Sequence, residues 1–339
     1  MLGLLFWQFI NQATTVEQSR RFYGLFGLIG QTGLFISGQF LVQLPSIGSY
    51  ILQTYDLDSS LTIVSVQVLL LVVVTIGIIG LGFFTLLNKL LTSKKIQIVF
   101  KDKGKKFGLL DSIKMILQSR YIRLIAVLMI CYGISINLVE GPWKSRASKT
   151  YTAVEEYASF TGHYLSYTGI CTVAFVLINS SIIRSFGWFW AAIVTPAVLL
   201  TTGMLFFVTN SFESANLYLS NLFFVSDPLM FIIVVGAIQN VLSKSTKYTF
   251  FDITKEMTYV PLPDDLKAKG KAAVDVIATK VGKSLSSLIQ SCVFVLFPYA
   301  TLESISIYLM VIFAFVCIIW IWAVRELADE YSKISSSNK

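Results

Sequence analysis

Long apolar runs separated by short polar segments dominate the pattern of hydrophobic and polar positions along this chain. A helix needs about 20 mostly apolar residues to cross the hydrocarbon core of a bilayer. Eight runs approach or exceed this length, whereas the first ten residues are too short to cross alone and suggest the end of a further helix. The pattern therefore predicts an all-α, polytopic membrane protein. The predicted spans are 22–44, 61–87, 121–138, 159–181, 186–208, 228–243, 272–297 and 305–324.

The composition supports this fold class and narrows the possible partners. Of 339 residues, 55% are hydrophobic and only 14% are charged, too few to cover the surface of a soluble domain. The net charge of +8 comes from Lys and Arg that lie mostly between the spans, which indicates topology and anionic lipid or substrate rather than nucleic acid. The four cysteines lie in apolar runs without metal-type spacing, so neither a metal site nor a cofactor is expected.

The distribution of Lys and Arg also predicts the orientation, because these residues favour cytoplasmic loops. The lysine-rich segment 89–106 is predicted to be cytoplasmic, as are residues 244–271 and the tail 325–339, whereas 45–60 is predicted to be outside. The segment 140–157 is an exception, because it is predicted to lie outside and yet contains three basic residues. Those residues, Lys144, Arg146 and Lys149, either serve the function or are simply solvated.

One predicted span carries charges in its interior. At about 3.6 residues per turn, a single polar stripe of this helix contains six residues. They are Lys271, Asp275, Thr279, Lys283, Ser287 and Gln290. Each charged group costs several kcal/mol in hydrocarbon, so the stripe is expected to face an aqueous pathway or a partner. The pattern predicts a helix that lines a route for substrate.

Five separated segments carry a resemblance to a known family. They are TTVEQSRRFYGLFGL, NLVEGPWK, KYTFFDITKEMTYVPL, KGKAAVDV and GKSLSSLIQ, in this order along most of the chain. They resemble the nucleotide transporter (ATP:ADP antiporter, ADP/ATP translocase) family of obligate intracellular bacteria and plastids. The resemblance implies twelve spans in two six-helix halves, like the major facilitator fold, with the substrate between the halves near mid-membrane.

Alignment of these motifs gives the expected domain organisation. Residues 1–88 would be the remainder of an amino-terminal transporter half, 89–120 a basic cytoplasmic linker, 121–325 a six-span carboxy-terminal half, and 326–339 a cytoplasmic tail. The expected activity is exchange of ATP for ADP by alternating access, without chemical catalysis. The expected partners are ATP, ADP, phosphate and membrane lipid, and the expected location is a bacterial inner membrane, with the plastid envelope as the alternative.

Three other functions were weighed against nucleotide exchange. A transport-inactive remnant and a proton-coupled nucleotide importer of the same family both remain open. A membrane transferase would need a carboxylate cluster for metal or a positioned base. The spans provide only Asp275 and Glu140 for this purpose, so the sequence disfavours an enzyme.

Lys283 is the first candidate for contact with the substrate. Although it follows Gly282 in a GKS sequence, a phosphate-binding P-loop would need glycine at position 277, which is Ile277. In the resembling family, a deep lysine would meet phosphate as a point charge. Glu140 is then expected to hold a lysine in place, Lys283 being one candidate, or to gate the pathway when phosphate competes for that lysine.

The remaining candidates are less specific. Asn240 lies in an apolar run, where it would bond the base or ribose, or tie two helices together. Lys144, Lys271 and Asp275 are included as charged groups along the same route, although Lys271 equally suits a lysine that extends to the interface. Arg21 either assists phosphate entry or anchors the cytoplasmic end of its span.

Two further features were assigned from their surroundings. Lys255 and Glu256 are predicted to lie in a solvated loop that screens or gates the cytoplasmic mouth. Phe6 and the tryptophans cluster near span ends and are expected mainly at membrane interfaces, whereas base stacking is the alternative role considered for Tyr132 or Tyr167.

Overall fold

The structure is a computed structural model. It describes residues 16–56, 58–93, 109–263, 270–271 and 273–337, with side chains from Ile29 onward apart from short gaps. Its α-helices are, in chain order, α1 (Val16–Tyr55), α2 (Leu61–Ser93), α3 (Leu109–Gln118), α4 (Arg120–Thr150), α5 (Val154–Phe186), α6 (Trp188–Ser211), α7 (Glu213–Leu222), α8 (Pro228–Thr246), α9 (Asp252–Tyr259), α10 (Thr279–Leu296) and α11 (Ser306–Ser337). Two π-helical turns, Lys247–Phe251 and Val274–Ala278, directly precede α9 and α10.

The described residues form helices and no strands, which confirms the predicted all-α, polytopic membrane fold. Seven of these helical stretches are long and apolar enough to cross a bilayer. They are Ile29–Tyr55, Leu61–Leu86, Arg120–Thr150, Val154–Phe186, Trp188–Ser211, Pro228–Tyr259 and Ser306–Ile334. The eighth predicted span, 272–297, is helical from Val274 to Leu296 but is not among the seven, since its polar stripe lowers its hydropathy.

Three predicted helix ends are wrong in the same direction. The span predicted to end at 138 continues as α4 to Thr150, with Pro142 inside the helix. Likewise α1 passes through Pro45 to Tyr55, and the helical path from Pro228 continues to Tyr259. Neighbouring helices and local adjustments satisfy the backbone groups that a proline leaves unpaired, so proline is a weaker stop signal in membrane helices.

The chain divides into two compact units, residues 1–106 with 152–166, and residues 107–151 with 167–339. In the first unit α1 packs against α2 and against the beginning of α5. A Cβ atom added to Gly162 would lie 2.5 Å from the carbonyl oxygen of Gly38, so the two backbones meet at a position that only glycine allows. Gln39 Nε2 donates to Ser166 Oγ at 3.0 Å beside this contact.

Helix α4 is at the centre of the second unit. Its side chains Ile122, Ile125, Leu138 and Val139 are fully buried, and it packs against α8, α10 and α11. A Cβ added to Gly133 would lie 3.0 Å from the Cα atom of Gly282, so α4 and α10 are in close backbone contact. Dispersion across such closely approaching helices stabilises packing in a membrane, where no hydrophobic effect drives association. Helices α4 and α10, which carry Glu140 and Lys283, are therefore closely packed against each other.

Candidate functional site

Helix α4 gives a common scale for the heights of the charged groups in the second unit. Helix α10 runs parallel to it, because Gly133 faces Gly282 and Gly141 faces Gln290, eight residues further along both helices. The path from α8 to α9 runs antiparallel to it. Two hydrogen bonds between this path and α4 show the direction. Near the end of α4, Trp143 Nε1 donates to the carbonyl oxygen of Ile233 at 3.0 Å, and near its beginning Tyr121 Oη donates to the carbonyl oxygen of Thr258 at 2.7 Å.

Glu140 lies two thirds of the way along α4 and is the acceptor for two lysines. Its Oε1 atom is 2.8 Å from Lys144 Nζ, one turn along the same helix, and 3.2 Å from Lys244 Nζ on α8. The carboxylate side chain is only 17% exposed, against 53% for Lys144 and 23% for Lys244. We call these three residues the Glu140 centre. One carboxylate facing two ammonium groups leaves this centre with a net positive charge.

Lys283 is not a partner of Glu140 in this structure. It follows Gly282 at the level of Gly133, seven residues before Glu140, which corresponds to about 10 Å along the helix at 1.5 Å per residue. Its side chain is exposed, and no carboxylate among the described residues forms an ion pair with it. Among the described side chains, Lys283 is thus a cation without a carboxylate partner, about two turns from the Glu140 centre.

A second group of charges lies nearer the beginning of α4, beside the π turn that precedes α10. Lys255 Nζ is 2.8 Å from Asp275 Oδ1 and 3.3 Å from Glu256 Oε1. Lys271 Nζ is 2.6 Å from the other oxygen of Glu256. We call these four residues the Asp275 network. It contains two cations and two anions, so its formal charge is zero.

The Asp275 network corrects one sequence interpretation. Lys255 and Glu256 were expected in a solvated loop, but they belong to helix α9, and the side chain of Lys255 is only 9% exposed. A buried ammonium group needs partners because it loses its hydration, and Asp275 and Glu256 supply them. The network therefore links α9 to the beginning of α10.

Asn240 is fully buried in α8 and donates from Nδ2 to the carbonyl oxygen of Gly236, one turn earlier, at 2.9 Å. Its Oδ1 atom has no hydrogen-bond partner among the described residues, and the same holds for the side-chain amide of its neighbour Gln239. Neither a nucleotide contact nor a bond between helices is tested by this arrangement, so both stay predictions.

Lys244 and Lys247 were not among the candidates predicted from the sequence, and neither were the ion pairs of Lys255. The Nζ atom of Lys247 is 2.8 Å from Asp252 Oδ2 and lies 6.0 Å from the ring centre of Tyr132. Tyr132 in turn stacks on Phe251 with ring centres 5.4 Å apart, so its ring is already engaged within the protein. The three-residue spacing of Lys244 and Lys247 on a continuing helix would have placed both on one face.

Two assignments remain outside these groups. The side chain of Arg21 lies outside the described side chains, although its backbone is part of α1. Among the residues that the structure describes, no three of the His, Cys, Asp and Glu side chains form a cluster that could hold a metal ion.

Helices that span a bilayer, together with buried and half-buried charges along one central helix, define a polytopic membrane protein with a polar interior. A family model described as TLC ATP/ADP transporter matches residues 1–331. The chain belongs to the TLC ATP/ADP transporter family, as the sequence resemblance predicted.

Individual relatives agree with the family. The chain is 54% identical to ADP,ATP carrier protein 4 of Rickettsia bellii and 52% identical to that of Rickettsia prowazekii, over 98% of this chain in both cases. It is also 41% identical to ADP,ATP carrier protein 3 of Rickettsia prowazekii, again over 98% of its length. The matches span 64%, 65% and 68% of those proteins, respectively. No solved structure matches the chain.

Proposed function

We propose that this protein exchanges ATP for ADP across a bacterial inner membrane by alternating access, without covalent catalysis and without a cofactor. The support comes from the family, from relatives that are named ADP,ATP carrier proteins, and from one structural observation. That observation is the excess of positive charge at the Glu140 centre and at Lys283. Adenine nucleotides are polyanions, and both substrates would be drawn to this part of the second unit.

Lysine suits this role better than arginine. Its ammonium group is a compact charge on a flexible stem, and it can follow a phosphate group that moves during transport. An unpaired ammonium in a poorly hydrated pathway also attracts phosphate more strongly than one in bulk water, because the effective dielectric constant is lower. Lys283 has no competing carboxylate among the described side chains, so it is the residue that we expect to contact phosphate first.

Glu140 would set the affinity of the same pathway for nucleotide. In the structure its carboxylate holds Lys144 and Lys244, and an incoming phosphate group would compete with it for both. A ligand shifts a conformational equilibrium only by the difference in its affinity for the two states. Exchange of one ion pair for another would provide such a difference, and the carboxylate would displace the product when the pathway reopens.

The proposal is tested by Lys283→Gln in the complete protein, reconstituted in liposomes that are loaded with ADP. Uptake of labelled ATP should fall at least about tenfold, corresponding to about 1.4 kcal/mol of lost interaction. Lys333→Gln is the matched control, because that lysine is 71% exposed and lies 3.5 Å from Glu330 Oε1 on its own helix. Its uptake should remain near that of the parent.

Lys283→Arg adds a second comparison at the same position. A planar guanidinium keeps the charge but has a different shape, so it should restore uptake only in part. If Lys283→Gln inserts normally and transports at the parental rate at both low and high salt, the proposed role of Lys283 is wrong. If the parent protein fails to exchange nucleotides at all, the proposed activity is wrong.

A further inference from the structure

A separate cavity of about 340 Å³ lies where α4 ends and α8 begins, beside helices α6 and α7. The distribution of Lys and Arg along the chain predicts that this end of α4 lies at the outer face, remote from the lysine-rich segments that are predicted to be cytoplasmic. The volume is within the range of about 300–1,000 Å³ that is typical of small-molecule sites. None of its lining residues belongs to the Glu140 centre or to the Asp275 network.

Two opposite charges line this cavity without pairing. Arg146 is on α4 and Glu213 begins α7, and neither forms an ion pair with any side chain that the structure describes. Arg146 is nevertheless held in position, because its Nε atom donates to Asn210 Oδ1 at 2.9 Å. Asn210 is fixed in turn by its bond from Nδ2 to Ser306 Oγ at 2.6 Å. This arrangement leaves the terminal guanidinium nitrogens available.

A buried acceptor lies in the same cavity. Asn216 is only 5% exposed, and its Nδ2 atom donates to the carbonyl oxygen of Pro228 at 3.1 Å. That bond fixes the amide orientation and leaves Oδ1 without a hydrogen-bond partner in the described part of the chain. The hydroxyl of Ser211, also in the lining, is unpaired as well. An unsatisfied buried polar atom costs about 1–3 kcal/mol, which a ligand that donates a hydrogen bond would recover.

We propose that this cavity binds a small zwitterion that carries an anionic oxyacid group and a primary ammonium group, as in the headgroup of phosphatidylethanolamine. Arg146 binds the phosphate with its free guanidinium nitrogens, the geometry for which arginine is suited. The ammonium group donates to the carboxylate of Glu213 and to Oδ1 of Asn216. A zwitterion matches both charges that line the cavity, whereas an anion alone would be repelled by Glu213.

Apolar residues at the rim favour a lipid as the source of this headgroup. Leu217 and Leu229 line the cavity and are 44% and 38% exposed, respectively. The neighbouring aromatic residues Phe223 and Phe224 are 63% and 95% exposed. Acyl chains attached to a headgroup in the cavity would cover such a surface, whereas a free zwitterion would leave it uncovered.

The test is calorimetric titration of the detergent-purified full chain with dihexanoylphosphatidylethanolamine below its micelle concentration. Three comparison ligands separate the contributions: the phosphatidylglycerol analogue lacks the ammonium group, the phosphatidylcholine analogue lacks its N–H donors, and O-phosphoethanolamine lacks the chains. We expect the ethanolamine lipid to bind at least about tenfold more tightly than either lipid analogue. Free O-phosphoethanolamine should bind measurably but more weakly.

Two variants assign the binding to the cavity. Arg146→Gln and Glu213→Gln should each weaken the binding of the ethanolamine lipid at least about fivefold. The control Lys149→Gln should leave this affinity unchanged. Glu213 is exposed and makes no described hydrogen bond through its side chain, so its variant tests the site even if Arg146→Gln does not fold.

Each other outcome has a defined meaning. Equal affinity for free O-phosphoethanolamine would support the zwitterion site and assign its ligand to the soluble pool. Equal affinity for phosphatidylglycerol would overturn the proposal, and so would parental binding by the Glu213→Gln protein. Absence of binding by all four ligands would overturn it too.

Discussion

The Glu140 centre connects α4 to α8, the Asp275 network connects α9 to the beginning of α10, and the two groups differ in their balance of charge. In the first, two lysines share one carboxylate that is 17% exposed. In the second, a lysine that is 9% exposed is matched by Asp275 and Glu256, and Lys271 completes a neutral set. A neutral network needs nothing further, whereas a centre with excess positive charge favours an anion.

This difference separates the two groups by expected role. The Asp275 network joins α9 to the start of α10 across residues 264–269, which lie outside the described residues, and it is suited to holding the two helices together. The Glu140 centre is suited to exchanging its partners. Substitutions in the first should therefore change stability, and substitutions in the second should change transport.

The largest expected effect is that of Glu140→Gln on turnover. Removal of the carboxylate takes away the anion that Lys144 and Lys244 share, so nucleotide should bind more tightly and leave more slowly. We expect the maximal exchange rate to fall about a hundredfold, on the order of 3 kcal/mol in activation free energy. The apparent KM for ATP should fall as well. Counter-exchange in proteoliposomes over a range of ATP concentrations measures both quantities.

Glu330→Gln is the control for this substitution, because that carboxylate lies near the end of α11 and pairs with Arg120 and Lys333. A raised KM for Glu140→Gln, with an unchanged maximal rate, would contradict competition between carboxylate and phosphate. That result would instead make Glu140 a positioning residue for Lys244.

The second effect tests the Asp275 network. Asp275→Asn removes the nearest anion from the buried ammonium group of Lys255, and Glu256 at 3.3 Å is then its remaining ion-pair partner among the described residues. We expect a loss of about 2 kcal/mol in stability, less than for a fully buried pair because Asp275 is 34% exposed. The melting temperature of the purified protein should fall by several degrees, with the KM for ATP unchanged.

The double substitution Lys255→Met with Asp275→Asn sharpens this test. It removes the buried charge along with its partner, so the pair should cost less than the sum of the two single changes. Additive losses would show that the ion pair is not the source of the stability. A large increase in KM for Asp275→Asn alone would move this residue into the substrate pathway, as the sequence analysis had placed it.

The sequence was sufficient for the fold but only partly sufficient for these two groups. Apolar run length identifies a span without reference to other helices, and that is why seven predicted spans correspond to long helices. Ion pairs depend on which helices pack together: Glu140 and Lys244 are 104 positions apart in the chain. A single sequence does not contain that information, so Lys244 was not identified.

Local context also misled the interpretation in specific places. A span was predicted to end at 138, and this moved Lys144 and Arg146 from the last turns of α4 into a predicted loop. Lys255 was assigned to solvent because its segment is rich in charge, although those charges neutralise each other in the folded protein.

The third effect concerns Glu303, an anion outside the spanning helices that binds the end of α4. Its Oε1 atom accepts from Lys149 Nζ at 2.8 Å and from Ser145 Oγ at 3.0 Å. Burial raises the pKa of the Glu303 carboxyl, but hydrogen bonds from Lys149, Thr301 and Ser145 outweigh burial and lower the pKa to about 2. The folded state therefore favours the ionised form.

The sign of the pH dependence follows from this lowered pKa. The stabilisation is present above the ordinary glutamate pKa of 4.5 and is lost as the pH falls from there towards 2. Glu303→Gln should lower the melting temperature at pH 7 by a few degrees, for a loss of about 1 kcal/mol. The difference from the parent should shrink between pH 4.5 and pH 3. A difference that is constant over this range would contradict a role for the ionised carboxylate.

The smallest effect separates the two lysines of the Glu140 centre. Lys144 is 53% exposed and pairs within one helix, whereas Lys244 is 23% exposed and connects α8 to α4. An exposed pair one turn apart contributes only about 0.3–0.5 kcal/mol and is screened by salt. Lys144→Gln should therefore leave the melting temperature within about a degree of the parent, whereas Lys244→Gln should lower it further.

Salt dependence makes this last comparison decisive. The exposed charge of Lys144 contributes to nucleotide capture mainly at low ionic strength, so Lys144→Gln should raise the KM for ATP modestly at 50 mM salt and hardly at all at 500 mM. The half-buried charge of Lys244 is screened less, and its variant should keep a raised KM at both concentrations. If KM depended on salt in the same way in both variants, the two lysines would act as one charge. Their different exposure would then not explain separate contributions to nucleotide capture.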